Sequence, residues 1–343
     1  MYSNAAAVFR GDIAGVLEQA KDWETSLIGT RVMPILNVPV RAGQYPSFKL
    51  QQGQLLKSEV KVRDPYSTFA RGTRAFTQET FNALEYGYEE AVDDTVTADV
   101  SRFFDAEVIA AKLARRKLLL AHELRVAAEI FNTSNFTSTN SGTAYTTANI
   151  ATFDVGEDVQ LAIDRLIALG ESTSNLRVVI PYPVWTRIRA STKFQNRLRG
   201  AGISSDTILN ASLQAAAEVF GVSEVLIGRS SYDSAAEGVA FTAANVWANT
   251  YIWVGSVTEG GSGFFGGGAG FTLNWSEYGP AVGVFTYREE SIKSNIVRAS
   301  QYTSEKVVNT NAQEQHRARV AVHLREGGEH QRGPAYRYPI QLR

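Results

Sequence analysis

The stretch GGSGFFGGGAG, residues 260–270, places Gly261, Gly263 and Gly266 in the order G-x-G-x-x-G. A loop of this spacing can wrap a pyrophosphate if a strand precedes it and a helix opens at its end. The preceding NVWANTYIWVG is strand-like, but the following FTLNW is β-like too, so no helix dipole is aimed at a phosphate. No Lys follows in the G-x-x-x-x-G-K-[ST] pattern. The glycines instead predict a flexible connection between strands. Phe264 and Phe265 in its middle need burial, and would pack on another chain if the loop is exposed.

The remaining candidates for chemistry do not converge. His122 opens HELRV, which lacks the second His of H-E-x-x-H, so it reads as a helix-face residue. His316, His323 and His330 are seven apart, but Gly327 and Gly328 interrupt any helix that would stack them. The run EEAVDD gathers Glu89, Glu90, Asp93 and Asp94. Carboxylate catalysis needs acids brought together from separate elements, so a contiguous run reads as a solvated or interface face. No G-x-S-x-G elbow and no D-x-[DN]-x-[DN]-G calcium loop occurs. No catalytic site, metal site or cofactor is expected.

The 343 residues suffice for one large or two modest domains. A net charge of −1 gives no global field for nucleic acid or anionic membrane, and no apolar run is long enough to span a bilayer. There is no cysteine, which removes disulfides, thiolate metal sites and cysteine catalysis. The first residues show no signal-peptide pattern, so folding in a cytoplasm is expected.

Several elements are legible. Residues 12–21 could form a helix, and 33–50 are extended because Pro34, Pro39 and Pro46 oppose helix. Residues 51–83 read as a long projecting hairpin or loop, a feature usually tied to function. Residues 99–131 predict one long helix, capped by Asp99, with Ile109, Leu113, Leu120, Leu124, Ala127 and Phe131 on one face. Residues 132–150 read as a linker. From 155 the texture alternates: helix 157–169, strand 176–180, a short helix after Pro183, helix 206–220, then strands 224–228 and 246–255. Strands follow the glycine run. Charge is segregated. Residues 41–75, with Lys57, Lys61, Arg63, Arg71 and Arg74 among them, carry net +5, and residues 78–107 carry net −8. Either the two segments neutralise each other as sides of one hairpin, or the basic loop lies across the acidic segment of a neighbouring subunit.

Several stretches resemble the major capsid proteins of tailed bacteriophages, the Hong Kong 97-like fold. GQYPSF is similar to the entry of that family's extended loop, and LEYGYEEAVDDTVTADV to the loop's return before the spine helix. LRVVIPYPVWTRIRASTKFQNRLRG, LQAAAEVFGVSEVLIGRSSYDSA and VWANTYIWVG resemble the apical domain. VFTYREESIKSNIVRASQYTSEKVVN resembles the closing strands of the peripheral domain. The resemblance covers roughly 40–315 and implies a mixed α+β fold. Its expected parts are an N-terminal arm (1–40), an extended loop (41–90), a peripheral domain with the spine helix (91–154), an apical domain (155–282) and returning peripheral strands (283–315). It places the glycine run between apical strands, near a symmetry axis.

The resemblance also implies homo-hexamers and homo-pentamers closing an icosahedral virion shell around double-stranded DNA, held without sequence specificity, with no membrane partner. Scaffolding, portal and decoration proteins would be separate chains, since no long scaffolding segment precedes the loop, unless the chain is a mature form. Residues 316–343, with six arginines and three of the four histidines, match nothing in the family. The site residues expected on this basis are inter-subunit contacts: Lys57, Lys61, Arg63, Arg71, Arg74, Glu89, Glu90, Asp93, Asp94, Phe264 and Phe265. An encapsulin-like nanocompartment shell and an α/β enzyme or ligand-binding protein are the alternatives.

Overall fold

The computed structural model describes residues 8–9, 24–47, 56–71, 77–95, 105–135, 139–140, 145, 149–201, 213–248, 251–258 and 267–317. Two sheets organise them. The larger is built around β14 (Ser294–Val307), whose 14 residues alternate Ile, Val, Ala and Tyr with polar residues and contain no Gly or Pro. One side of β14 pairs antiparallel with β5 (Leu84–Asp93), Ser294 opposite Asp93 and Thr303 opposite Leu84. The other side carries β12 (Gly270–Trp275) and β13 (Gly283–Glu289) end to end, separated by the bend at 276–282. β2 (Ile35–Val38) adds parallel to β12, and β1 (Val8–Phe9) antiparallel to β13.

Helix α2 (Ala106–Ile130) packs along β5 and β14, and the four-residue α1 (Gly29–Val32) packs on it. At about 1.5 Å per residue α2 is roughly 37 Å long. Its start differs from expectation: Asp105 is extended and its carboxylate accepts from the Glu107 and Val108 amides, a side-chain cap six residues beyond Asp99. Its buried face agrees in part: Ala127 is buried and Leu120, Leu124 and Phe131 pack against the core, as expected. Ala110, Ala111, Ala114, Leu118, His122, Glu123, Val126, Ala127 and Ile130 face inward, while Ile109 and Leu113 are exposed. Over its first half the small Ala110, Ala111 and Ala114 occupy the seam where α2 lies against its sheet, so the larger Ile109 and Leu113 do not mark the inner face there.

The second sheet has the order β6-β15-β11-β7-β8. It combines β7 (Leu176–Pro181) and β8 (Glu224–Gly228), which are parallel, with β11 (Tyr251–Ser256), β15 (Gln313–Arg317) and the short β6 (Thr139–Asn140). Helices α3 (Val155–Ala168), α4 (Tyr182–Ala190), α5 (Thr192–Gly200) and α6 (Leu213–Phe220) supply its core, with Trp185, Phe194 and Phe220 packed ring to ring. Asp154 caps α3, and Gly170 and Gly221, both at positive φ, end α3 and α6. The two glycine ends agree with the sequence reading, while α3 starts two residues before the expected 157. The expected helix 206–220 is seen from Leu213, residues 202–212 lying outside the described set. The strand expected from 246 begins at 251, because Val246 and Trp247 form a bend.

Two expected placements change. The glycine run does not join two strands of one sheet; it leads from β11 in the five-stranded sheet to β12 in the six-stranded one. Residues 270–275 therefore belong to the sheet of β13 and β14. In the opposite sense, 313–317 return to the five-stranded sheet beside β11. The helix expected at 12–21, Asp99, and most of the C-terminal tail lie outside the described residues.

Candidate assembly surfaces

Strands β3 (Ala42–Ser47) and β4 (Thr77–Asn82) pair antiparallel as a separate two-stranded sheet, and the chain runs from β4 into β5 through Ala83. This is the hairpin expected at 51–83. Its base is anchored by buried Tyr45 and Phe81, packed with Val38, Phe271 and Leu273, while the Tyr45 hydroxyl donates to Glu79 at 3.0 Å. Burial and then the Glu79 charge push the Tyr45 phenol well above its usual pKa. Beyond the base, every residue from 56 to 71 is exposed. Leu56, Val60, Phe69, Val62 (95 % exposed) and Tyr66 (102 %) form an apolar series left largely open to solvent among the described residues. A turn closed by the Ser67 amide on the Asp64 carbonyl, with Tyr66 at φ 68°, shapes the tip.

The predicted contact residues fall into two groups. Lys57, Lys61, Arg63 and Arg71 stand on the exposed tip; Lys57 pairs with Glu59 at 3.5 Å and Arg63 lies over the Phe69 ring. Arg74, Phe264 and Phe265 lie outside the described residues. Glu89, Glu90 and Asp93 stand on β5, which has no partner on its outer edge among the described residues, and Asp94 directly follows it. Their counter-charges come from β13 and β14. Arg298 donates to Glu89 at 2.5 Å, and Arg288 grips Asp94 with two bonds of 2.6 and 2.7 Å. The Arg288 bonds hold the Asp94 carboxyl below its usual range. None of the four described basic residues of the tip pairs with an acid of 79–94. Mutual neutralisation across one hairpin is therefore not what these side chains do.

Sequence reasoning missed the polar knot inside the molecule. Glu123, buried on α2, accepts from the Ile28 amide (3.0 Å), the Gly29 amide (2.6 Å), Trp247 Nε1 (2.7 Å) and Ser230 Oγ (3.3 Å). It supplies from a distant helix the cap that α1 lacks locally. One residue earlier, His122 Nε2 meets Thr272 Oγ1 at 3.1 Å, and Glu305, held by Arg125, lies 3.6 Å away. No motif announces this arrangement; HELRV shows only a charged helical segment. Among the described residues no group of three or more His, Asp or Glu could hold a metal, and no helix is long and apolar enough to cross a membrane.

His122 predicts a pH dependence. Burial is the largest influence and pushes its pKa down to about 4, with Glu305 acting upward and Arg125 downward. The unfolded chain takes up this proton near pH 6.5, the folded chain only near 4. Stability from this group is thus complete above about 6.5 and is lost as pH falls toward 4, by up to roughly 3 kcal/mol. His122→Gln should flatten that part of a urea-midpoint profile measured between pH 4.5 and 7.5. An unchanged slope would assign the acid lability to other groups.

No protein-family model matches the sequence, and no curated protein matches it. Solved structures do match in fold. A phage-related protein from Bordetella bronchiseptica aligns with a TM-score of 0.67 at 16 % identity, over 91 % of this chain and 97 % of that one. The capsid structure of cyanophage P-SCSP1u aligns at 0.51 and 12 % identity, over 84 % and 87 %. A putative capsid protein of an Escherichia coli CFT073 prophage aligns at 0.50 and 10 % identity, over 92 % and 100 %. With the β14-centred sheet, the helix along it, the projecting hairpin and the second α/β sheet all in place, the chain has the fold of tailed-phage major capsid proteins.

Proposed function

We propose that the chain is a shell-forming structural protein that assembles as hexamers and pentamers into a virion capsid around double-stranded DNA, in the cytoplasm of a host cell. The observation that supports this most is the hairpin tip. Ordering such a segment costs conformational entropy, and its apolar residues remain in water unless a neighbour covers them. On this reading the tip lies on an adjacent subunit, its lysines and arginines near that subunit's β5 acids. Glu85, Glu89, Glu90 and Asp94 present carboxylates there, some already engaged by Arg288, Arg298 and Tyr302, so the charge contact steers and aligns more than it binds.

Negative-stain microscopy and sedimentation of the purified full chain test the proposal. Closed shells or ring-shaped oligomers are expected, with nuclease-protected DNA in particles taken from producing cells. A chain that remains monomeric under all assembly conditions would refute the shell role, and particles filled with protein cargo would refute DNA enclosure. Reversing Lys57 and Lys61 to Glu should leave the melting curve unchanged and weaken assembly, most at low salt where screening is least. Unchanged assembly would remove the tip's charges from the contact.

A further inference from the structure

A second hairpin leaves the five-stranded sheet directly after β8. Strands β9 (Ser231–Asp233) and β10 (Ala243–Asn245) are short, and the tip between them is internally braced. Asp233 accepts from the Ala235 and Thr242 amides at 3.0 and 2.9 Å, the Ser234 amide donates to the Thr242 carbonyl, and Gly238 takes positive φ. This preformed tip holds Phe241 (73 % exposed) and Val239 (64 %) in solvent beside Glu237. Near its root, Tyr182, Trp185, Arg189 and Arg229 line a concavity of about 310 Å³, with Arg229 over the Tyr182 ring. Tyr182, Trp185 and Arg189 share one face of α4 at spacings of three and four. Among the described residues no carboxylate lines the concavity.

We propose that the tip of the β9–β10 hairpin of one copy seats in this concavity of the next copy, Phe241 against the Tyr182 ring and Glu237 toward Arg229. The inference rests on the shell reading above. Three observations carry it. Tip and concavity are different patches, so their contact is head-to-tail and can close a ring. Tyr and Arg are among the residues that dominate binding pockets between proteins, and the cationic pocket complements the acidic tip. The brace on the tip means little entropy is lost on docking. The exposure of Phe241 shows that the chain's own concavity does not hold it.

The test uses the full chain. Phe241→Ser, Glu237→Arg and Arg229→Glu should each leave the melting temperature close to that of the unaltered chain, yet raise the concentration needed for assembly about tenfold or more. The Glu237→Arg/Arg229→Glu double variant should recover most of that loss. Single variants that assemble like the unaltered chain, or a double variant no better than the singles, would overturn the contact while leaving the shell reading intact. An unaltered chain that never assembles overturns both.

Discussion

Replacing Glu123 with Ala should destabilise the subunit by about 3–5 kcal/mol and sharply reduce soluble yield. The carboxylate is buried and four donors from three parts of the chain converge on it: two amides at the start of α1, the Trp247 indole and the Ser230 hydroxyl. Truncation orphans all four and leaves a cavity, and each buried donor without a partner costs on the order of 1–3 kcal/mol. Glu123→Gln keeps the volume and one acceptor oxygen, so it should cost clearly less than Ala. Burial raises the Glu123 pKa, and its hydrogen bonds only partly offset that. The fold therefore binds this proton more readily than the unfolded chain does. Stability from this group declines as pH rises through the interval between the two pKa values, opposite in sign to His122. Urea titration at neutral pH measures the effect, and a loss below about 1 kcal/mol for the Ala variant would mean that the four donors find other partners.

Leu120→Pro should be as damaging. Residue 120 sits in the middle of α2, where proline removes one backbone hydrogen bond and its ring collides with the preceding turn, at a cost of about 3 kcal/mol or more. The same change removes a side chain packed against the cluster of Val126, Ile130, Trp247 and Trp253. A kink here would also swing His122, Glu123 and Arg125 away from Thr272, Ile28 and Glu305. Insoluble protein is expected. A soluble variant that still assembled would show that α2 need not be continuous.

Much of this architecture could be read from residues alone, and the failures have physical causes. The ends of α3 and α6 were legible because glycine at positive φ leaves a sequence mark. The hairpin at 51–83 was legible because a polar, core-poor stretch of that length has nowhere else to go. The first half of the inner face of α2 was not: Ala110, Ala111 and Ala114 form the seam there, so the larger Ile109 and Leu113 point the wrong way. Asp105 offers the same letter as Asp99, and only the extended backbone at 105 marks it as the cap. Sheet membership of 270–275 and 313–317 was also hidden. Strand propensity says that a segment extends, whereas its partner depends on contacts distant in sequence. For the same reason the acidic run looked unpartnered, since Arg288 and Arg298 lie about 200 residues further on.

The return of residues 313–317 to the edge of β11 sets a timetable for the nascent chain. On a ribosome, β7, β8 and β11 emerge and can pair long before β15 exists, and the chain must first lay down β12, β13 and β14 of the other sheet. Until then one flank of β11 has no strand to pair with, and the Trp253 indole lacks the Gln313 side chain that accepts its hydrogen bond. Contacts this distant along the chain form late and slowly. An incompletely synthesised subunit thus carries an open strand edge, which makes it a poor and sticky building block. Closing that edge waits on the synthesis of β15, so the order of translation itself sets when β11 gains its second neighbour.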